Sequence, residues 1–205
     1  MHENDIEINE KNINNGKKNA SLLNGILDWA ESFAFAIFVV ILIFTFLLRT
    51  VVVVGKSMNP NFEDADRIII THVNSNPEKG DVLVLNCQGL KETIIKRCIG
   101  TEGDKVVINY KDGTVKVNDQ EISNDYINGA MVDKPYFFDQ RYAVADGVYE
   151  YNVPEGKVFV MGDNRNNSSD SRYDKVGFID TDDILGKVVF RIYPFDSIGK
   201  VKTGL

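Results

Sequence analysis

Three short segments of this 205-residue chain carry residue types that could do chemistry together. The first is Gly55-Lys56-Ser57-Met58-Asn59-Pro60, which follows a run of valines. A serine just after a glycine at the end of a strand can expose its hydroxyl, and neighbouring backbone amides can then stabilise an oxyanion. Ser57 is therefore a candidate nucleophile. An ordinary turn is the alternative interpretation, because Ser, Gly and Pro are all common in turns.

The second segment is Ile94-Ile95-Lys96-Arg97-Cys98-Ile99-Gly100, an apolar run interrupted by two basic residues. In a strand, Lys96 shares one face with Ile94 and Cys98, and Arg97 lies on the other. Apolar neighbours disfavour the ammonium form and lower the pKa of a lysine, which makes Lys96 a candidate general base. The alternative is an edge-strand lysine that discourages aggregation.

The third segment, GDNRNNSSDSR at 162–172, follows the apolar run KVFVM. Its turn formers, hydroxyls and alternating charges predict a loop held by its own hydrogen bonds, with Asp170 and Arg172 as an ion pair. A polar surface loop is the alternative interpretation. A serine activated by a neutral lysine would need no histidine, and His72 lies within an apolar run.

The pattern from residue 66 onward predicts a mainly β fold. Short apolar runs alternate with turn residues, which is typical of an antiparallel β domain. Residues 120–147 show few clean patterns and are expected to be irregular. The predicted strands are RIIITHV, DVLVLN, TIIKRCIG, DKVVINY, TVKVN, GVYEYNV, KVFVM and ILGKVVFRIY.

The N-terminal part predicts a polar tail at 1–20 and an anchor at 21–49 before a β domain at 50–205. Residues 21–31 have helical apolar spacing that suits a short interfacial helix. The 17 uncharged residues at 32–48 would rise about 25 Å as a helix, enough to span a bilayer. β-branched residues at 50–54 then favour a strand. The flanking basic residues are balanced and leave the orientation open.

Composition excludes some classes of function. The net charge of −7 gives no basic field for phosphates, so no nucleic acid partner is expected. Cys87 and Cys98 fall on two arms of one predicted hairpin, about 20 Å apart, too far for a disulfide. His2 and His72 form no metal-binding pattern with the two cysteines, so neither a metal nor a cofactor is predicted.

Taken in order, these segments resemble the sequence boxes of type I signal peptidases. GKSMNP resembles their nucleophile box, IIKRCIG with Gly103-Asp104 their lysine box, and GDNRNNSSDSR their GDNR box. Gly80-Asp81-Val82 resembles a further segment of the family, and the likeness extends over residues 33–200. The resemblance implies an antiparallel β catalytic domain on one transmembrane helix.

The resemblance also implies roles for particular residues. Ser57 would be the nucleophile and supply an oxyanion amide, Lys96 would be the base, and Ser168 would orient the lysine. Asp170 and Arg172 would form a structural pair, and Met58 would lie beside the substrate cleft.

The resemblance further implies substrates and a location. The substrates would be precursor proteins bearing signal peptides, cut after small residues in an Ala-x-Ala-like pattern. The enzyme would sit in the lipid of the cytoplasmic membrane, with its tail in the cytoplasm and its β domain outside.

Some positions depart from the family's pattern. Gly55 stands where some members have a serine that donates to the oxyanion, so a second donor is unidentified. Asn61-Phe62 and Thr101-Glu102 replace the common Thr-Leu and Leu-Pro pairs. These changes concern the shape of the cleft.

Two other hypotheses account for part of the sequence. Self-cleaving repressors also use a serine and a lysine on a β fold, but they begin with a DNA-binding domain where this chain has an apolar helix. A non-catalytic, membrane-tethered β module would instead bind a partner through an exposed patch, for which Tyr136-Phe137-Phe138 is the candidate.

Overall fold

The structure is a computed structural model that describes residues 25–42, 45, 48–71, 76–127, 129, 131 and 139–201. The chain divides into two compact units, Met1–Phe46 and Leu47–Leu205. The predicted tail at 1–20, both histidines and the Tyr136-Phe137-Phe138 patch lie outside the described residues.

The described part of the first unit is one helix, α1, at Gly25–Leu42. It is long and apolar enough to cross a membrane, and none of it is buried inside the protein. The sequence predicted an interfacial and membrane-spanning anchor helix at 21–49, and α1 lies within that segment. No proline or glycine interrupts the chain between Gly25 and Leu42. Its large exposed side chains include Ile26, Leu27, Trp29, Phe33, Phe35 and Phe38.

The second unit consists mainly of strands. In chain order they are β1 Leu48–Val52, β2 Arg67–Thr71, β3 Val82–Cys87, β4 Glu92–Gly100, β5 Lys105–Asn109, β6 Thr114–Val117, β7 Gln120–Glu121, β8 Ala143–Ala145, β9 Val148–Asn152, β10 Lys157–Met161, β11 Ile179–Asp180, β12 Ile184–Tyr193 and β13 Gly199–Lys200. Short 3-10 helices lie at Gln140–Tyr142, Thr181–Asp183 and Phe195–Ser197.

These strands form two antiparallel sheets. The larger has the order β1-β2-β12-β3-β4-β10-β11, with β13 paired to β12, and the smaller has the order β7-β6-β5-β9-β8. The predicted mainly β, antiparallel class is confirmed. The predicted hairpin is also confirmed, because Cys87 lies opposite Glu92. Both cysteines are free and buried.

The central strands β3 and β4 are buried on both faces. Val82 and Val84 pack in one apolar cluster with Ile95. Leu83 and Leu85 pack in another cluster on the opposite face. This two-sided burial explains why these strands are almost continuous apolar runs in the sequence. From Ile94 onward, a polar side chain on β4 is therefore buried whichever face it takes.

The first strand begins earlier than predicted. The anchor was expected to end at Arg49 and the strand to occupy 50–54, but β1 is Leu48–Val52. Leu48 and Arg49 pair with Thr71 and Ile70 of β2, so sheet pairing determines the boundary. The region predicted to be irregular contains the two short strands β7 and β8, which are too brief to give an alternating pattern.

Candidate active site

The candidate nucleophile lies on the turn that follows β1. Gly55 has a positive φ of 89°, a conformation that glycine adopts without strain, and its amide donates to a carboxylate oxygen of Asp64 at 2.7 Å. Three residues on, the Met58 side chain is only 1% exposed and packs in the core. Ser57 is thus held between a hydrogen-bonded glycine and a buried methionine.

The candidate base reaches this serine. Nζ of Lys96 lies 2.8 Å from Oγ of Ser57 and 2.9 Å from the carbonyl oxygen of Ile95. The lysine is 4% exposed, although β4 begins at a solvent-exposed Glu92. A nucleophile and a base within hydrogen-bond distance are the arrangement that proton transfer requires.

The surroundings of Lys96 favour its neutral form. Burial lowers the pKa of Lys96 below its ordinary value of 10.5. The negative charges of Asp170 and Glu92 oppose this shift but do not cancel it. A lysine with a lowered pKa can accept a proton at a pH where an exposed lysine stays charged.

The loop at 162–172, called the GDNR loop below, also holds the nucleophile turn. The backbone amide of Asn164 donates to the carbonyl oxygen of Ser57 at 3.0 Å. The side-chain amide of the same residue donates to the carbonyl oxygen of Lys56 at 3.1 Å. One asparagine therefore fixes two consecutive carbonyl groups beside the reactive hydroxyl.

The predicted pair of Asp170 and Arg172 is present and fully buried. Nε and Nη2 of Arg172 donate to the two carboxylate oxygens at 2.7 and 2.8 Å. The amide of Gly162 adds a third bond to this carboxylate at 2.9 Å. Burial alone would raise the pKa of Asp170, but the Arg172 charge and these hydrogen bonds lower it. The pair stays ionised and, with the Gly162 amide, connects the two ends of the loop at 162–172.

The Ser168 hydroxyl is buried near the candidate dyad but bonds to neither member. Ser168 is 8% exposed, and its Oγ has no hydrogen-bond partner among the described residues. It lines the same cleft as Ser57 and Lys96. A buried hydroxyl without a hydrogen-bond partner is unusual. A small movement of the Lys96 side chain would allow its amine to bond to the Ser168 hydroxyl. The orienting role of Ser168 remains a prediction.

A second buried ion pair was missed by the sequence analysis. Arg97 donates through Nε and Nη2 to both carboxylate oxygens of Asp163, at 2.8 and 2.7 Å. The side-chain amide of Asn61 donates to the same carboxylate at 2.8 Å. One signal was available: alternation placed Arg97 on the second face of a strand buried on both sides, where a carboxylate partner is needed.

The dyad opens into a cleft of about 650 Å³. Met58 is not among the residues that line it, so its predicted contact with substrate remains a prediction, as does the Ser57 amide as oxyanion donor. No group of three His, Cys, Asp or Glu side chains that could hold a metal ion occurs in the described part of the chain. The lining residues are Val51, Val52, Val54, Gly55, Lys56, Ser57, Glu92, Thr93, Ile94, Ile95, Lys96, Asn166, Asn167, Ser168, Ser169 and Tyr173.

Comparison with known proteins identifies the kind of enzyme. The family model described as signal peptidase, peptidase S26, matches residues 26–193. Signal peptidase I of Bacillus amyloliquefaciens is 35% identical over 196 residues, covering 91% of this chain and 98% of that protein. Signal peptidase I T of Bacillus subtilis strain 168 is 35% identical over 203 residues, covering 94% and 98%.

A solved structure also matches. The crystal structure of a signal peptidase I from Enterococcus faecalis V583 is 27% identical, covers 55% of this chain and 97% of that one, and has a TM-score of 0.41.

The family model and the two Bacillus relatives define the chain as a peptidase. It belongs to the signal peptidase family, peptidase S26, whose members remove signal peptides. Together with α1, this membership indicates a membrane-anchored protein. The alternative hypothesis of a self-cleaving repressor is therefore rejected.

Gly162 provides a test of this geometry. A Cβ at this position would lie 2.2 Å from Oγ of Ser168 and 2.5 Å from the carbonyl oxygen of Ser57. We expect Gly162→Ala to displace the nucleophile turn and lower kcat by about a hundredfold, since displacements near 1 Å have effects of this size. Steady-state cleavage of a precursor measures the effect.

Gly199→Ala is the matched control for this substitution. A Cβ there would meet nothing within 4 Å. Equal activity of the two alanine variants would show that the close approach at Gly162 does not position Ser57.

Proposed function

We propose that this protein is a membrane-anchored endopeptidase that removes N-terminal signal peptides with Ser57 as nucleophile and Lys96 as general base. The observation that carries the proposal is the 2.8 Å contact between Nζ of the buried Lys96 and Oγ of Ser57. Family membership supplies the reaction, and this contact supplies the two groups that could perform it.

The proposed chemistry has two steps. Lys96 accepts the Ser57 proton while Oγ attacks the carbonyl carbon, and the ammonium then gives that proton to the leaving amine as the C–N bond breaks. This leaves an ester on Ser57. Lys96 next takes a proton from water, whose oxygen attacks the ester, and the proton passes to Ser57 Oγ as the serine departs. The Ser57 amide stabilises the oxyanion in both steps.

The proposed mode of binding uses two free strand edges. Strand β10 pairs with β4 only through Arg97, Cys98 and Gly100, so Glu92–Lys96 has β3 on one side and no second strand among the described residues. Among the described residues, strand β1 likewise pairs only with β2. Both segments line the cleft, which favours an extended peptide hydrogen-bonded to their edges.

The cleft wall supports selection of small side chains. Val52, Val54 and Ile95 line it close to Ser57. An extended peptide sends alternate side chains to the same face, so the residues one and three positions before the cut would meet this wall. Branched aliphatic side chains leave room for alanine there. We infer an Ala-x-Ala-like preference.

The proposed location follows from α1 and the family. A helix of 18 residues, about 27 Å long, can anchor the chain in the cytoplasmic membrane. We infer that the tail is cytoplasmic and that the β domain faces the outside, where exported precursors emerge.

The direct test uses the full-length protein in detergent with a precursor that has alanine one and three residues before the cut. We expect release of the signal peptide by the wild type and none by Ser57→Ala. A precursor with phenylalanine or lysine at the position before the cut should remain intact. A folded wild type that leaves the alanine precursor uncut would favour a binding module over an enzyme.

Lys96 gives a second test through pH. Because the folded pKa is lowered and the neutral form is the base, kcat/KM should fall as pH drops through that pKa and rise above it. Arginine cannot release its proton, so Lys96→Arg should lose about a thousandfold or more in kcat while remaining folded. The pH profile and circular dichroism of both proteins measure this. Substantial cleavage by Lys96→Arg would exclude Lys96 as the base.

A further inference from the structure

Tyr126 contacts two buried guanidinium groups. Cζ of Arg97 is 4.6 Å from the centre of the tyrosine ring, and Cζ of Arg165 is 5.6 Å from it. Nη2 of Arg165 also donates to the phenol oxygen at 2.9 Å. Both arginines are only 1% exposed. The ring and the hydroxyl of the partly buried Tyr126 therefore both stabilise positive charge on two buried side chains.

Arg165 depends on Tyr126 more than Arg97 does. Arg97 has the Asp163 carboxylate, whereas Arg165 makes no ion pair with a carboxylate among the described residues. Nη1 of Arg165 has no hydrogen-bond partner in that set. Burial, reinforced by the nearby Arg172 charge, lowers the pKa of Arg165, which means that its cation is disfavoured there. The tyrosine offsets part of this penalty.

The backbone of Tyr126 extends the connection to the nucleophile segment. Its carbonyl oxygen accepts a hydrogen bond from the side-chain amide of Asn61 at 2.5 Å. Asn61 also donates to Asp163, the carboxylate that Arg97 binds. Tyr126 thus contacts Arg97 and Arg165, from two of the three candidate segments, and Asn61, which directly follows the segment that contains Ser57.

Arg97 and Asp163 are each next in sequence to a residue of the candidate active site. Arg97 directly follows Lys96 in β4. Asp163 directly precedes Asn164, whose amide donates to the carbonyl oxygen of Ser57. A displacement of Arg97 or Asp163 would therefore alter the 2.8 Å separation of Nζ and Oγ.

We propose that Tyr126 is a positioning residue of the catalytic centre, and that its contacts with Arg97 and Arg165 hold the Ser57 turn and Lys96 in register. This deepens the proposed function and rests on it. Tyr126 is not among the residues that line the cleft. Its loss should therefore change turnover rather than the binding of the precursor.

The test compares Tyr126→Phe and Tyr126→Leu with the wild type in the full-length protein. Phenylalanine keeps the ring and loses only the hydrogen bond to Arg165, so kcat should fall about three- to tenfold. Leucine removes the ring as well, and kcat should fall about 30-fold or more. KM should change less than about twofold in both variants.

Tyr142→Leu is the matched control. Tyr142 also stacks, on Tyr151 at 4.7 Å between ring centres, and lies 5.9 Å from Cζ of Arg141. It packs against a different apolar cluster from that of Met58. Its replacement by leucine also removes a stacked aromatic ring, yet kcat should stay within about twofold of the wild type.

Hydrogen exchange gives a readout that needs no activity. We expect faster exchange at the Asn164 amide in both Tyr126 variants and unchanged exchange there in Tyr142→Leu. This comparison keeps the proposal testable even if the wild type cuts no precursor, a result that would count against the proposed function alone.

Unchanged kcat and unchanged Asn164 exchange in Tyr126→Leu would overturn the proposal. An equal loss of kcat in Tyr142→Leu would overturn it too, because general destabilisation would then explain the effect. If Tyr126→Leu does not fold, Tyr126→Phe decides alone, and wild-type kcat and exchange in that variant would refute the role.

Discussion

The site depends on the 2.8 Å contact between Nζ of Lys96 and Oγ of Ser57, made where water has little access. Burial makes the amine a base, because it disfavours the ammonium form. The same burial opposes folding below the ordinary pKa of lysine, since the unfolded chain binds that proton more readily. The contact therefore needs a rigid setting. Strand β4 provides it, because apolar clusters cover both of its faces.

The buried charges around the dyad follow the same constraint. Asp170, whose charge acts on Lys96, is compensated by Arg172, and the buried Asp163 is compensated by Arg97. An uncompensated carboxylate there would favour the ammonium and remove the base. The Arg97–Asp163 pair also joins β4 to the GDNR loop, which in turn holds the carbonyl groups of the nucleophile turn.

The sequence predicted the long strands from local patterns, whereas the roles of Ser57 and Lys96 came from the resemblance of their segments to a known family. Alternation placed Lys96 on an apolar face, and β3 and β4 pair in the register that the hairpin implied. The contacts of Asp163 and Tyr126 could not be predicted in this way. They join residues far apart in the chain, and Tyr126 follows β7, a strand of two residues with no pattern. The start of β1 at Leu48 was missed because its pairing with β2 is also non-local.

The central claim is that Lys96 is neutral at the pH where the enzyme works. The most direct measurement is NMR titration of the Lys96 side-chain nitrogen in the full-length protein labelled with ¹⁵N-lysine, with Lys96→Arg to assign its signal. We expect a midpoint below the ordinary value of 10.5. A midpoint at the ordinary value in a protein that cleaves precursor would contradict it.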